Sequence, residues 1–224
     1  MDFGLAFSFV FKDPDWLKKI AILALVGLIP IVGQLVIYGW MMDVTRRVMN
    51  QDPTPLPDLD FGTDLSRGFM GFVIGFVYSL PVTLIGGVSG IFSSLVDYSS
   101  SSVGSGISTL FSFFFGLAAF TLGFFIWLVL PAAITRYLEN DQIGAAFEFS
   151  EVFKMVSKNL GAYFIVLLGS FVAGLIAPLG LIACIIGVVL TSVYSYAVIG
   201  HFYGQAYNEA NKNKMIVEVP PTIT

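Results

Sequence analysis

Apolar residues in this chain come in long runs broken by short polar stretches, and residues 6–50 set a pattern that the rest varies. The opening segment, residues 3–11, is rich in Phe, uncharged and too short to span a bilayer, and it ends at Lys12. That pattern predicts an element lying in the headgroup boundary. Asp13-Pro14-Asp15-Trp16 then reads as a helix start. Asp13 serves as N-cap, Pro14 has no N–H to leave unpaired at the first helical position, and Asp15 sits at the positive end of the helix dipole. Residues 16–29 form 14 residues of apolar helix, about 21 Å long against a hydrocarbon core of ~30 Å. Ile29-Pro30-Ile31-Val32-Gly33 supplies a bend, and a second apolar run continues to Met49. On length alone, one kinked span and a compact hairpin both fit.

Further runs cover residues 69–95, 110–138, 160–179 and 181–207, with Pro81 and Pro131 inside the first two and a turn at Pro178 and Gly180 between the last two. Pro53, Pro55 and Pro57 stop helix propagation in the linker 51–64 and predict an exposed cytoplasmic strap, with Asp64 capping the next helix. Asp97 and the serine-rich stretch to Ser108 predict a flexible turn. Residues 145–159 mix Phe147, Phe149, Phe153 and Met155 with Glu148, Glu151, Lys154 and Lys158, the composition of a second interfacial helix.

Charge decides between span and hairpin. A single opening span would place Arg46, Arg47 and Arg67 opposite Lys12, Lys18 and Lys19, against the positive-inside tendency. Three hairpins, at about 16–50, 66–138 and 158–209, put all 11 Lys and Arg residues on one side, and the turns near Pro30, at 97–108 and near Pro178 contain none. The expectation is an all-α membrane protein: a six-span bundle of three hairpins with interfacial amphipathic helices, one membrane domain over 1–209, a cytoplasmic tail at 210–224 and both termini cytoplasmic. Composition agrees. Of 224 residues, 56% are hydrophobic and 12% charged, with a mean hydropathy of +0.85, whereas soluble domains carry roughly a quarter charged residues. The N-terminus has no basic n-region or small-residue cleavage site, so Met1 is expected to remain in the mature chain. Cys184 is the sole cysteine and lies in an apolar run, which excludes an intramolecular disulfide.

The motif around residues 6–12 has a weak echo at 146–154, AFEF followed by SEVFK, consistent with repeated hairpin units. Phe11-Lys12-Asp13-Pro14-Asp15-Trp16-Leu17-Lys18-Lys19, then Ile29-Pro30-Ile31-Val32-Gly33, Gly39, Arg46 and Pro55-Leu56-Pro57, resembles a prokaryotic family of multi-pass membrane proteins known as a domain of unknown function. The likeness covers most of the chain and is densest in the first ~80 residues; the serine-rich turn departs from it. The resemblance implies a bacterial or archaeal inner-membrane location and supplies no catalytic residue.

Candidate chemistry is sparse. His201 is the only histidine, so no multi-histidine metal site can form, and no glycine loop matches a phosphate-binding motif. We expect no enzyme activity, no cofactor and no nucleic-acid partner. Asp43, Arg46 and Arg47 lie at helical spacings of three and four, suited to local pairing or to a headgroup site. Tyr194, Tyr196, His201, Tyr203 and Tyr207 put polar groups on an otherwise apolar helix, as a hydrogen-bonded core or a solute site; either way they should face protein. Gln34, Tyr38, Asp43, Arg46, Tyr196, His201 and Tyr203 are therefore the candidate lipid or solute contacts. Gly71, Gly75, Gly86 and Gly90 are candidate helix-packing positions. Two function classes follow. One is a non-enzymatic scaffold, assembly or regulatory component that binds lipid, a protein partner or another copy of itself; the other is a transporter or channel for small solutes or lipids.

Overall fold

The computed structural model describes residues 1–97 and 102–212, and every regular element among them is helical. The α-helices are α1 (Phe3–Ser8), α2 (Trp16–Gly27), α3 (Val32–Met49), α4 (Phe61–Asp97), α5 (Ser102–Asn140), α6 (Phe149–Lys158), α7 (Leu160–Ile176) and α8 (Cys184–Ala210), with short 3-10 segments at Phe9–Lys12, Ile143–Phe147 and Ala177–Ala183. Among the described residues, three helical stretches are long and apolar enough to cross a membrane: Phe61–Val96, Ser108–Asn140 and Leu160–Ile182. The residues form two compact units, one from Met1–Ile74 together with the chain from Pro131 onward, the other Gly75–Leu130.

The first unit is built round α3, whose Val36, Ile37, Trp40, Met41, Met42 and Val44 are all buried. Glycine explains how neighbours reach it. A Cβ on Gly39 would stand 2.7 Å from Gly68 N, and one on Gly68 would stand 2.9 Å from Gly39 N, so α3 and α4 cross backbone against backbone. On α8, a Cβ on Gly200 would meet Met41 O at 2.5 Å and one on Gly204 would meet Thr45 O at 2.8 Å. Helix pairs without a hydrophobic drive in lipid gain attraction from such close approach.

The turn from α2 to α3 is tight. Val32 N donates to Pro30 O at 2.7 Å, a γ-turn in which Ile31 takes φ 64°, the strained hand of that turn. At the other end α3 closes with Gln51 N on Val48 O (3.1 Å) and Asp52 N on Arg47 O (2.9 Å). Gln51 has φ 57°. This is the paired-bond C-terminal motif in which the left-handed residue is usually glycine.

Several boundaries differ from the sequence expectation. Helix α4 begins at Phe61; Asp60 is its cap, accepting Thr63 N (3.3 Å), and Asp64 returns a bond by accepting Asp60 N (3.0 Å). Helix α5 begins at Ser102, so the serine-rich stretch is not all turn; residues 98–101 and the tail from 213 lie outside the described residues. Both long helices run through their prolines, Pro81 and Pro131.

In the second unit, α4 and α5 meet through stacked Phe92 and Phe111 (centroids 3.7 Å apart) and through Ser93 and Ser112 hydroxyls at 2.8 Å. Among the described residues their other faces are bare: Leu84, Ile91, Phe113 and Phe120 stand exposed. Water would penalise such a surface heavily; hydrocarbon or another apolar helix would not.

Candidate functional site

The lead-in segment packs on the chain's own core. Asp2 caps α1 by accepting Leu5 N at 2.8 Å, and Ala6, Phe9 and Val10 are buried in the chain's own core. Phe3 and Phe7 pack on Phe202 of α8, Phe9 lies 4.5 Å from the His201 ring, and Tyr194 donates to Phe7 O at 2.7 Å. The apolar side that a free interfacial helix would turn to lipid is packed mainly on α8.

The proline strap is pinned as well. Leu56 and Pro57 are buried rather than exposed, because a Pro-rich segment cannot satisfy its carbonyls within a helix and donors from the bundle must do so. Trp40 Nε1 donates to Pro57 O (3.1 Å) and Lys19 Nζ to Leu56 O (2.9 Å). Lys19 also holds the Asp13 carboxylate at 2.8 Å, and Asp13 accepts Asp15 N at 2.8 Å. The helix itself starts later than the expected Pro14, at Trp16. Burial pushes the Asp13 carboxyl up, but the Lys19 bond and charge and the Asp15 N–H outweigh it, so Asp13 lies below the usual carboxylate range. Asp52 is also held low, chiefly by the Thr54 N–H, then against a burial cost by the Thr54 hydroxyl and Arg47.

Lead-in, strap, the end of α3 and the end of α8 enclose a cavity of about 360 Å³, lined in part by Phe9, Lys12, Asp52, His201, Gln205 and Asn208. The Asp2 N–H donates to Gln205 Oε1 at 2.6 Å, which orients that amide. Its Nε2 then donates to Asp2 O and to His201 Nδ1, each at 2.9 Å. His201 therefore accepts at Nδ1, and its neutral ring carries the proton on Nε2. Asn208 Nδ2 donates to Val48 O at 2.7 Å, while its buried Oδ1 has no partner among the described residues.

The candidate residues separate into distinct groups. Gln34 is exposed and donates to Gly27 O at 3.1 Å, closing the end of α2. Tyr38 and Tyr196 meet edge to face at 6.5 Å, with Tyr203 buried beside them. Asp43 bridges helices, accepting Arg67 at 2.8 Å and Arg47 at 3.3 Å. Arg46 bonds Leu138 O at 3.1 Å and the Asp141 carboxylate. Of the seven, only His201 lines the cavity. The expected polar stripe does face protein on α8: His201 and Tyr203 are buried and Tyr194 is bonded.

The candidate packing glycines differ in their surroundings. Gly71 sits against Tyr38 and Met42, where a Cβ would be 2.7 and 2.6 Å away, but Gly75, Gly86 and Gly90 have nothing within 4 Å among the described residues. Within this chain the close crossing lies at Gly39 and Gly68 instead. Sequence reasoning also passed over Gln205 and Asn208, although His201, Gln205 and Asn208 at i, i+4 and i+7 share one helix face.

No group of three or more His, Cys, Asp or Glu side chains among the described residues could hold a metal ion. A family model described as a protein of unknown function, DUF4013, matches residues 22–199. No curated protein and no solved structure matches the chain.

Proposed function

We propose a role from one premise: this chain belongs to DUF4013, a family of proteins of unknown function. In our reading it is a six-pass inner-membrane protein with both termini cytoplasmic, and it acts as a non-enzymatic assembly or regulatory component rather than as a catalyst. The distribution of Lys and Arg supports that topology. So does the first turn, where Leu28, Ile29 and Ile31 are exposed, apolar and uncharged; α2, at 12 residues, is about 18 Å long and needs this turn to reach the far boundary.

One observation carries the functional reading: the apolar faces of α4 and α5 are uncovered and Gly86, Gly87 and Gly90 stand open, while Asp43, Arg46 and Arg67 are tied in internal bonds. Open glycines on an apolar helix favour contact with a membrane helix of a partner or a second copy. Gly86→Leu and Gly90→Leu test this by co-purification from native membranes in mild detergent. The reading expects a defined protein companion that both substitutions release without lowering the yield of folded chain. Companion binding unaffected by either substitution would overturn it. A second reading, transport of a small solute, is favoured by the cavity lined by His201, Gln205 and Asn208; flux into proteoliposomes lost in Asn208→Leu would support that instead.

A further inference from the structure

Resting on the solute cavity of the second reading above, we infer that this cavity binds a small organic anion, a carboxylate with an apolar body, through Lys12 and His201. The inference asks for binding only, not for passage across the membrane. At about 360 Å³, the cavity lies near the small end of the ~300–1,000 Å³ typical of ligand sites. Leu5, Phe9, Val48 and Leu56 give it apolar walls, while Pro53 and Thr54 of the strap, which also line it, are exposed, so a molecule in water can reach it.

The polar groups of the wall decide the charge of the ligand. The carboxylates and the Gln205 carbonyl are already engaged. Asp13 holds Lys19 at 2.8 Å and accepts Asp15 N at 2.8 Å. Asp52 Oδ1 accepts the Thr54 N–H at 2.8 Å and the Thr54 hydroxyl at 3.0 Å, and its Oδ2 lies 4.0 Å from Arg47. Gln205 Oε1 accepts Asp2 N. Asn208 Oδ1 has no partner among the described residues but is itself buried, out of a ligand's reach. Two donors remain. Lys12 is exposed and makes no hydrogen bond or ion pair among the described residues. His201 is only 4% exposed, and because its Nδ1 accepts from Gln205, its Nε2–H is left without a partner there. Lys12 is near enough for its charge to act on that ring. An ammonium and a neutral N–H on one apolar cavity suit a carboxylate, whose two oxygens can accept one bond each. A cationic ligand would meet carboxylates that are already satisfied, and a neutral one would gain nothing from the Lys12 charge.

The test is isothermal titration of the full chain in mild detergent with benzoate and with benzamide, which has nearly the same shape without the charge. We expect benzoate to bind about tenfold tighter than benzamide. Lys12→Gln should weaken benzoate about tenfold and leave benzamide unchanged, since a hydrogen bond to a charged group is lost. His201→Asn keeps an acceptor near the position of Nδ1 for Gln205 but removes the Nε2 donor, and should weaken benzoate about fivefold. Thermal unfolding checks that each variant is folded, and Lys12 has no partner whose loss would destabilise the chain. Absence of benzoate binding, equal binding of the two probes, or benzoate binding unaltered in Lys12→Gln would overturn the proposal. Transport is read separately, by flux. Benzoate binding without benzoate flux into proteoliposomes would sink the transport reading and keep this site, whereas flux of a neutral solute, lost in Asn208→Leu, without benzoate binding would do the reverse.

Discussion

The crossing of α3 and α4 is the feature most open to a quantitative test. Gly39→Ala adds one carbon where a Cβ would lie 2.7 Å from Gly68 N and 2.6 Å from the Asp64 carbonyl carbon. Ordinary contact begins at 3.4 Å, so the helices must part by at least 0.8 Å, the difference between 2.6 and 3.4. The obstructing atoms are backbone and cannot swing aside as the end of a side chain would. Parting by that amount also stretches the Arg67 to Asp43 bond from 2.8 Å towards the 3.5 Å limit of a hydrogen bond. Overpacking in a fixed environment costs about 1–3 kcal/mol, and backbone on both sides puts this crossing at the upper end. For a chain of this size that lowers the unfolding temperature by about 6–12 °C. Gly68→Ala should behave alike, since its Cβ would lie 2.8 Å from the Leu35 carbonyl carbon. Gly75→Ala and Gly86→Ala are the controls: with nothing within 4 Å, exchanging Gly for a residue that favours helix by ~1 kcal/mol should leave stability unchanged or raise it. Thermal unfolding in a single detergent, followed by circular dichroism, measures all four. Neutral substitutions at Gly39 and Gly68, or losses at Gly75 and Gly86 as large as theirs, would refute the packing.

Three other outcomes follow from local geometry. Gln51→Gly removes the penalty of a left-handed non-glycine residue at φ 57° and should raise stability by up to about 1 kcal/mol, read as a higher unfolding temperature. Ile31→Gly relieves the γ-turn at φ 64° by a similar ~1 kcal/mol, and hydrogen exchange at the Leu28–Val32 turn should slow. Asp13→Asn should cost roughly 1–2 kcal/mol at neutral pH through the lost charged hydrogen bond to Lys19. Because folding holds the Asp13 carboxyl below its unfolded value of 3.8, its stabilisation is present above that pH and disappears as pH falls through the lower folded value. The stability gap between wild type and variant should therefore close in acid, and a gap independent of pH would contradict the pairing.

The sequence made the helix pair α2 and α3 legible because its ends are marked by strong local chemistry: Asp13 to Trp16 at the start, Pro30 at the bend, Arg46 and Arg47 at the close. The amphipathic stretch before α7 was equally plain, and α6 buries Val152 and Val156 while Phe149 and Phe153 stay exposed. Which glycines would be touched was not legible. A small-residue spacing such as Gly71 to Gly75 says that helices can approach; only the meeting of segments 29 positions apart, Gly39 with Gly68, says where they do. The docking of the lead-in on α8 was hidden for the same reason. An apolar face reads identically whether lipid or the far end of the chain covers it. His201 stood out as the only histidine, but its partner Gln205 is held by Asp2, about 200 residues away in sequence, and nothing in the local pattern marks Asn208, whose buried Oδ1 has no partner among the described residues.

Site-directed labelling tests the membrane topology most directly. In a Cys184→Ser background, single cysteines replace Asp58 in the strap, Lys154 on α6 and Gly106 near the second turn, and intact cells are treated with a membrane-impermeant maleimide. Cys at 106 should react from outside the cell, while those at 58 and 154 should react only after the membrane is opened. Labelling of all three positions from the same side of the intact membrane would contradict the hairpin architecture.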